Sequence, residues 1–356
     1  MASFFYSHYK GNILSKYKEN IYSFYLHISL FFTILQQLKK VNAMKREKTI
    51  KRKKVIDFRT SFPDEESAIK YYEKVRWGDN VVSPFDPTSK VYKCKDGRYK
   101  CKNTGKYFTY RTGTFFANSK LDFRDWLYAM TMIANHKNGI SSYQLANDLD
   151  ISQKTAWYML HRIRAAMAKE NTQTLSGEVE IDETFVGGKN INRHKDKKIK
   201  KCQGRSYKDK VKVFGILERN GKIIAQVVPN TQARTLVPIV KKNVEAGSTV
   251  YTDGWSYKGL EKKYEQRSVD HSKKFYGITY VTDDGEIIEI TTNRIENAWS
   301  IFKRAIKGTY IHVSKKHMQR YVDEFVFRFN TRKLAKMIEL NSFALCSLDI
   351  PKFRAF

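Results

Sequence analysis

Three acids that lie far apart in the sequence, Asp182, Asp253 and Glu296, each stand where a structural element ends or meets solvent. Asp182 lies in the run Glu-Val-Glu-Ile-Asp-Glu-Thr-Phe-Val-Gly-Gly, whose alternation sends Val179 and Ile181 to one face and Glu180 and Asp182 to the other. Taken singly, it reads equally well as an exposed acid on a half-solvated strand. Asp253 follows the β-type run Thr249-Val250-Tyr251-Thr252, so it stands at the carboxyl end of a strand, where sites in open α/β sheets gather. Its bland alternative is a simple Asp-Gly turn. The third acid belongs to residues 293–307, where Ile295, Ala298, Trp299, Phe302, Ala305 and Ile306 form an apolar helical stripe. The opposite face carries Asn293, Glu296, Ser300, Lys303 and Lys307. Two helical turns, about 10 Å along the axis, separate Glu296 from Lys303, so an acid and a base share one face. A capping box with Asn293 as N-cap and Glu296 reaching back to it is the structural alternative.

Carboxylates brought together this way would be hard oxygen ligands for magnesium or manganese. A pair of such ions about 3.5–4 Å apart activates water or a 3′-hydroxyl and stabilises the oxygen that leaves a phosphodiester. Histidine and cysteine are scarce in this half of the chain, which argues against zinc hydrolysis. No Gly-rich phosphate loop of the Walker type supports an ATPase.

The elements that must position these acids are legible from residue 177 onward. Strands are expected at residues 178–186, 211–217 and 223–228, the last two joined by an Asn220-Gly221 hairpin turn. A helix over 231–244 then leads into a strand at 249–252. Strands, a helix, a strand and a further helix predict an α/β domain with a mixed sheet. Between the first two strands, residues 193–212 contain ten lysines and arginines, a solvated loop placed where a phosphate backbone is readily held.

The preceding region reads as smaller units. Asp64 opens a helical pattern through Ala68, Tyr71, Tyr72 and Val75 that ends near Trp77-Gly78. Residues 80–114 alternate in short runs around the turn dipeptide Asp96-Gly97 and predict a small β module. Helical periodicity returns at Asp122. Two short helices follow, the first capped by Ser141 or Ser142 and the second by Ser152, with a break at Asp150-Ile151-Ser152. This is helix-turn-helix spacing. The second helix offers Gln153, Lys154, Tyr158, His161, Arg162 and Arg164 to base edges and phosphates, although paired helices of this length are also ordinary packing units.

Composition agrees with a polyanionic partner. Lysine and arginine number 66 against 36 acids, a formal net charge of +30. Nucleic acid fits better than an anionic membrane, because the basic residues alternate with aromatics and turn residues instead of lining a long amphipathic helix. An AT-rich genome also enriches lysine. The four cysteines (Cys94, Cys101, Cys202, Cys346) are too scattered for a disulfide framework, so a reducing, cytoplasmic or nucleoid-associated setting is expected, or a nuclear one in a eukaryote. Residues 21–35 are apolar but too few to span a bilayer. Met44 opens the lysine-rich run 45–54 as a natural start would, which makes residues 1–43 either translated upstream sequence or a loosely attached helix.

At these motifs the sequence resembles insertion-sequence transposases of the ISXO-like and Merlin type. The matching stretches are Gly-Ile-Ser-Ser-Tyr-Gln-Leu-Ala, Ser-Gln-Lys-Thr-Ala-Trp-Tyr-Met-Leu-His-Arg-Ile-Arg, Glu-Ile-Asp-Glu-Thr-Phe-Val-Gly-Gly-Lys and Tyr-Thr-Asp-Gly-Trp. They continue in Asn-Arg-Ile-Glu-Asn-Ala-Trp-Ser-Ile-Phe-Lys-Arg, Lys-Gly-Thr-Tyr and Tyr-Val-Asp-Glu-Phe-Val-Phe-Arg-Phe-Asn-Thr-Arg, so the likeness runs in order over residues 75–333. The resemblance implies an RNase H-like DDE catalytic domain in which Asp182 and Asp253 are the first two metal ligands. Either Asn293 or Glu296 supplies the third; the step from Glu296 to Lys303 favours Glu296. His271 also falls where the family tends to have a histidine.

Relatives often begin with a zinc ribbon of two Cys-x-x-Cys knuckles. Here the knuckles read Ser83-Pro84-Phe85-Asp86 and Cys101-Lys102-Asn103-Thr104, so three of four ligands are missing, Cys94 is off-register, and the module is expected to fold without zinc. The expected order is thus a basic segment (1–60), a helix with a degenerate zinc-ribbon-like β module (61–118), a helix-turn-helix region (119–172), the RNase H-like domain (173–335) and a tail (336–356). The implied activity is metal-dependent cleavage and strand transfer with two Mg²⁺ or Mn²⁺ ions, on double-stranded DNA at terminal inverted repeats and target sites. Two ends need two active sites, hence a homodimer or larger assembly on DNA. The rivals are an inactive DNA-binding regulator descended from a transposase, and another RNase H-like nuclease such as a resolvase or an RNA–DNA hybrid cutter.

Overall fold

The computed structural model describes residues 58–332 apart from 189, 191–193, 201–208, 220, 254–256, 258, 270–277 and 282–286. Helix α1 (Phe58–Ser61) leads into α2 (Glu65–Trp77). Asp64 accepts the Ser67 N–H at 2.7 Å and the Ser67 hydroxyl bonds back to the Asp64 backbone, so a reciprocal cap fixes the start of α2. Gly78, at φ 63°, ends it.

Strands β1 (Val91–Lys93), β2 (Tyr99–Cys101) and β3 (Tyr107–Phe108) form an antiparallel three-stranded sheet. Its inner face buries Tyr99, Cys101 and Phe108 against Trp77, Val81 and Val91. Around the positions of the two altered knuckles, Asn103 Nδ2 donates to Asp86 at 2.8 Å, and the Ser83 hydroxyl accepts the N–H groups of Phe85 and Asp86.

Helices α3 (Phe123–Asn135), α4 (Ser142–Leu149) and α5 (Gln153–Met167) follow. Ser141 caps α4 through the Gln144 N–H, Ser152 caps α5 through the Thr155 N–H, and Asp150 turns the chain between them at φ 51°. An aromatic-rich core, including Tyr72, Phe116, Phe123 and Trp126, joins these helices to α2.

Beyond α5 the chain enters a five-stranded mixed sheet of β4 (Glu178–Val186), β5 (Val211–Glu218), β6 (Ile223–Val228), β7 (Thr249–Asp253) and β8 (Glu265–Val269), with α6 (Ala233–Asn243) between β6 and β7. The spatial order is β6-β5-β4-β7-β8. The first three strands pair antiparallel, and β4, β7 and β8 run parallel. Strands β9 (Ile278–Val281) and β10 (Ile287–Ile290) make a separate antiparallel pair. Helix α7 (Asn293–Ala305), a π-helical turn (Ile306–Tyr310) and α8 (Met318–Thr331) complete the described chain.

Helices cover both faces of the sheet. Val179, Ile181, Phe214 and Ile216 pack on Leu236, Val237 and Val240 of α6. Val186, Val213, Leu217 and Ala225 pack on Trp299 and Phe302 of α7 and Val322 and Phe325 of α8. On the α7 side, Gly215 of β5 lies so close to the Trp299 indole that an added Cβ would sit 2.5 Å from it.

Several expectations need correction. The N-cap of α7 is Thr292, not Asn293, and it makes no side-chain cap bond to the backbone. The helix ends at Ala305 and continues as the π turn instead of running regularly to 307. Strand β8, the β9–β10 pair and helix α8 had no counterpart in the reading of periodicity. His271, residues 193 and 201–208 of the basic loop 193–212, Asn220 of the hairpin turn and the segments 1–57 and 333–356 lie outside the described residues.

Candidate functional site: an acidic cleft beside a lysine wall

The parallel register of β4 and β7 sets Ile181 opposite Thr252. One step further stand Asp182 and Asp253, side by side on neighbouring strands whose spacing is about 5 Å. Helix α7 brings the third acid. Its first turn would leave backbone N–H groups unpaired, and a buried carboxylate from the sheet takes them up: Glu180 Oε2 accepts from the N–H of Arg294 at 3.1 Å and of Ile295 at 3.0 Å. The other Glu180 oxygen pairs with Arg219 Nε at 3.1 Å, and Arg219 stacks 3.7 Å above the Tyr251 ring. Glu180 and Asp182 are two residues apart on the same strand face, so the group that caps α7 also fixes that helix relative to Asp182. The spacing of the sequence had assigned Glu180 no task; its signal was an acid repeated at i, i+2 on a strand.

Asp182, Glu183, Asp253 and Glu296 line one cleft of about 520 Å³, together with Thr184, Trp299, Ser300, Lys303, Arg304 and Lys307. The three acids singled out in the sequence therefore meet in one place, with Lys303 on the same wall. Asn293 is exposed and is not part of that lining. Burial raises the Asp182 carboxyl to about 7, helped by the negative charges of Glu183, Glu296 and Asp253. Glu183 is raised too, chiefly by burial, while the Tyr257 hydroxyl donates to it at 2.6 Å and opposes the shift. Such gathered negative charge is what a divalent cation relieves, and every donor is a hard oxygen. Among the described residues, however, no three His, Cys, Asp or Glu side chains converge closely enough to enclose a single ion.

A second cavity, about 900 Å³, shares Lys303 and Lys307 with the acidic cleft. Its walls mix apolar side chains (Phe185, Ile306, Met318) with Lys210, Lys315, His194 and His312. The cleft thus continues into a basic trough.

The six residues expected to face DNA divide. Lys154 is exposed, Tyr158 is half-buried, and half-buried Gln153 donates to the Ser142 hydroxyl at 2.8 Å, tying the two short helices together. His161, Arg162 and Arg164 are buried, so their side chains face the protein interior and not the solvent that a DNA contact would need. Arg164 Nε pairs with Glu324 Oε2 of α8 at 2.7 Å, and the Tyr310 hydroxyl donates to the same carboxylate. That charge holds Glu324 below its ordinary range although burial alone would raise it. Gly139, at φ 78°, leaves room beside this group: a Cβ there would meet the Tyr310 hydroxyl and Glu324. Arg162 donates to the Ala117 carbonyl at 2.9 Å, and the His161 ring packs tilted at 45° against Trp157 with ring centroids 4.0 Å apart. The helical pattern placed these three residues on α5 correctly but could not reveal that α8 covers His161 and Arg164 while Arg162 turns to Ala117 and the Trp126 ring.

Residues 174–330 match the ISXO2-like transposase domain. A transposase-like protein of Haemophilus influenzae (strain ATCC 51907 / DSM 11121 / KW20 / Rd), itself uncharacterised, is 31% identical over 121 residues, which span 33% of this chain and 89% of that protein. The chain belongs to the ISXO2-like transposases. The matched domain contains the whole mixed sheet, α7 and nearly all of α8, and therefore every residue of the acidic cleft. Among solved structures, a chain of a pre-cleavage Mos1 transpososome is 11% identical, covering 63% of this chain and 80% of that one, with a TM-score of 0.19.

Proposed function

We propose that this transposase-family chain is a DDE-type enzyme that binds the ends of a mobile element, cuts them and joins them to target DNA, with an RNase H-like catalytic domain. The observation that carries the reading is the convergence of Asp182, Asp253 and Glu296 from three separated elements into one cleft next to Lys303. The mixed sheet, antiparallel on one side of β4 and parallel on the other, supports the RNase H-like assignment.

Asp182, Asp253 and Glu296 would hold two Mg²⁺ or Mn²⁺ ions. When bound, such ions supply a polarised oxygen nucleophile and charge relief on the leaving oxygen. The chain's own residues do the rest. Glu180 and Arg219 keep α7 seated on the sheet; Lys303, Arg304 and Lys307 hold phosphates on either side of the scissile bond; and the lysine-bearing trough takes up the continuing strand. No covalent protein–DNA link is needed. The helix-turn-helix, through Lys154, Tyr158 and Gln153, and the β module would grip the terminal inverted repeats as duplex DNA, and pairing of two ends calls for at least a dimer.

The test is a supercoiled-plasmid and labelled-end assay with Mg²⁺. Wild-type protein is expected to nick its ends and join them to target, and Asp182→Asn to bind the same DNA without cutting. DNA binding by the wild type with no cutting under any divalent ion would instead identify the regulator.

A further inference from the structure

The outer face of the small three-stranded sheet is built differently from its inner face. The register sets Tyr92 of β1 opposite Lys100 of β2, and Lys100 opposite Tyr107 of β3. These three form a row across all strands on the side away from the Tyr99–Cys101–Phe108 core. Tyr92 is 44% exposed and Tyr107 49%, large values for rings on regular strands. The cations beside them are Lys90, 5.6 Å above Tyr92, and Arg98 and Lys100, 4.8 and 5.5 Å from Tyr107. The only described acid bonded to this group is Asp96, which pairs with Arg98.

The two rings do not pack on each other but flank a lysine that lies over the Tyr107 ring, so ring and cation alternate across the row. We propose that this face is a stacking platform for unpaired bases of single-stranded DNA, with Tyr92 and Tyr107 each taking a base and Lys100 between them taking a phosphate. The two rings lie two strands apart, about 10 Å. Neighbouring bases in a duplex are about 3.4 Å apart and hide their faces in the stack, so only an opened strand presents bases to both rings. Alternating aromatic and basic groups on a sheet are what sequence-tolerant single-strand binding requires: rings meet the faces every base has, and cations track the backbone. The inference takes a nucleic-acid partner from the proposed function and gives this one face of the β module a task besides the duplex gripping proposed for the rest of it.

The test uses the full chain with EDTA, so that no cutting intervenes, and a short single strand carrying 2-aminopurine. Wild-type protein is expected to bind it and quench the probe. Tyr92→Ala and Tyr107→Ala should each weaken binding by about 5- to 100-fold and relieve the quenching, while Tyr92→Phe and Tyr107→Phe keep both. Duplex affinity should change less than about twofold in all four variants, and Lys100→Ala should lower the salt dependence of single-strand binding by about one phosphate. The proposal is overturned if wild-type protein does not bind the single strand, if the alanine variants bind and quench as wild type does, or if they lose duplex and single strand equally. A chain that cuts plasmid but does not stack removes only this inference, and one that stacks but does not cut removes only the catalytic reading.

Discussion

Glu296 and Asn293 are a single turn apart on α7, yet only Glu296 reaches the cleft wall. Glu296→Gln is therefore expected to lower end cleavage roughly 100-fold or more, the scale of losing a group that organises transition-state charge, whereas Asn293→Ala should stay within about threefold of wild type, measured as single-turnover cleavage at saturating DNA. The reverse pattern would transfer the third ligand to Asn293. His161 permits a prediction of another kind. Burial, with Arg164, His317 and Arg320 nearby, lowers its pKa to about 3 from an ordinary 6.5. The unfolded chain then binds the extra proton, so this contribution to stability is complete above about pH 6.5 and is lost as the pH falls toward 3. At pH 5 the loss amounts to about 2 kcal/mol. His161→Phe, which keeps a ring against Trp157, should reduce the drop in urea-unfolding free energy between pH 7.5 and pH 5 by that amount. An equal drop in both proteins would show that His161 charges freely in the folded chain.

At the scale of elements, the position of α7 on the sheet decides whether the acids meet. Gly215 permits the close approach of Trp299, and a methyl group there must push the helix outward. Gly215→Ala is expected to cost about 1–3 kcal/mol of stability and to reduce cleavage more than DNA binding, because Glu296 moves with the helix. Unchanged cleavage would mean that the Trp299 ring yields instead. Helices α5 and α8 are joined by the buried Arg164–Glu324 pair, both groups at most 2% exposed. Arg164→Ala leaves a carboxylate buried without its main partner and should cost about 3–5 kcal/mol, seen as a lower urea midpoint. If Arg164 instead served DNA, the variant would lose affinity and keep its stability.

At the scale of the molecule, the excess of 66 basic over 36 acidic residues would make the proposed association with DNA an electrostatic event. Six to ten phosphate contacts would weaken binding by about 10³–10⁵ between 50 and 200 mM salt. A titration that is flat in salt would exclude the lysine wall and trough as a phosphate path. Among the described residues no helix is long and apolar enough to cross a membrane.

Local periodicity by itself determined the strands β4 to β7, the start of α2, the Ser141 and Ser152 caps and the apolar stripe of α7, because each depends on residues within one or two turns of one another. Family motifs and residue chemistry likewise singled out Asp182, Asp253 and Glu296. Tertiary structure alone decided the rest. That β4 and β7 are parallel neighbours, that Glu180 caps α7 from across 114 residues of chain, and that α8 covers His161 and Arg164 while Arg162 turns to Ala117 and Trp126 are pairings between distant segments. A helical face records which residues point the same way; whether that face meets solvent or another helix is set by what packs against it.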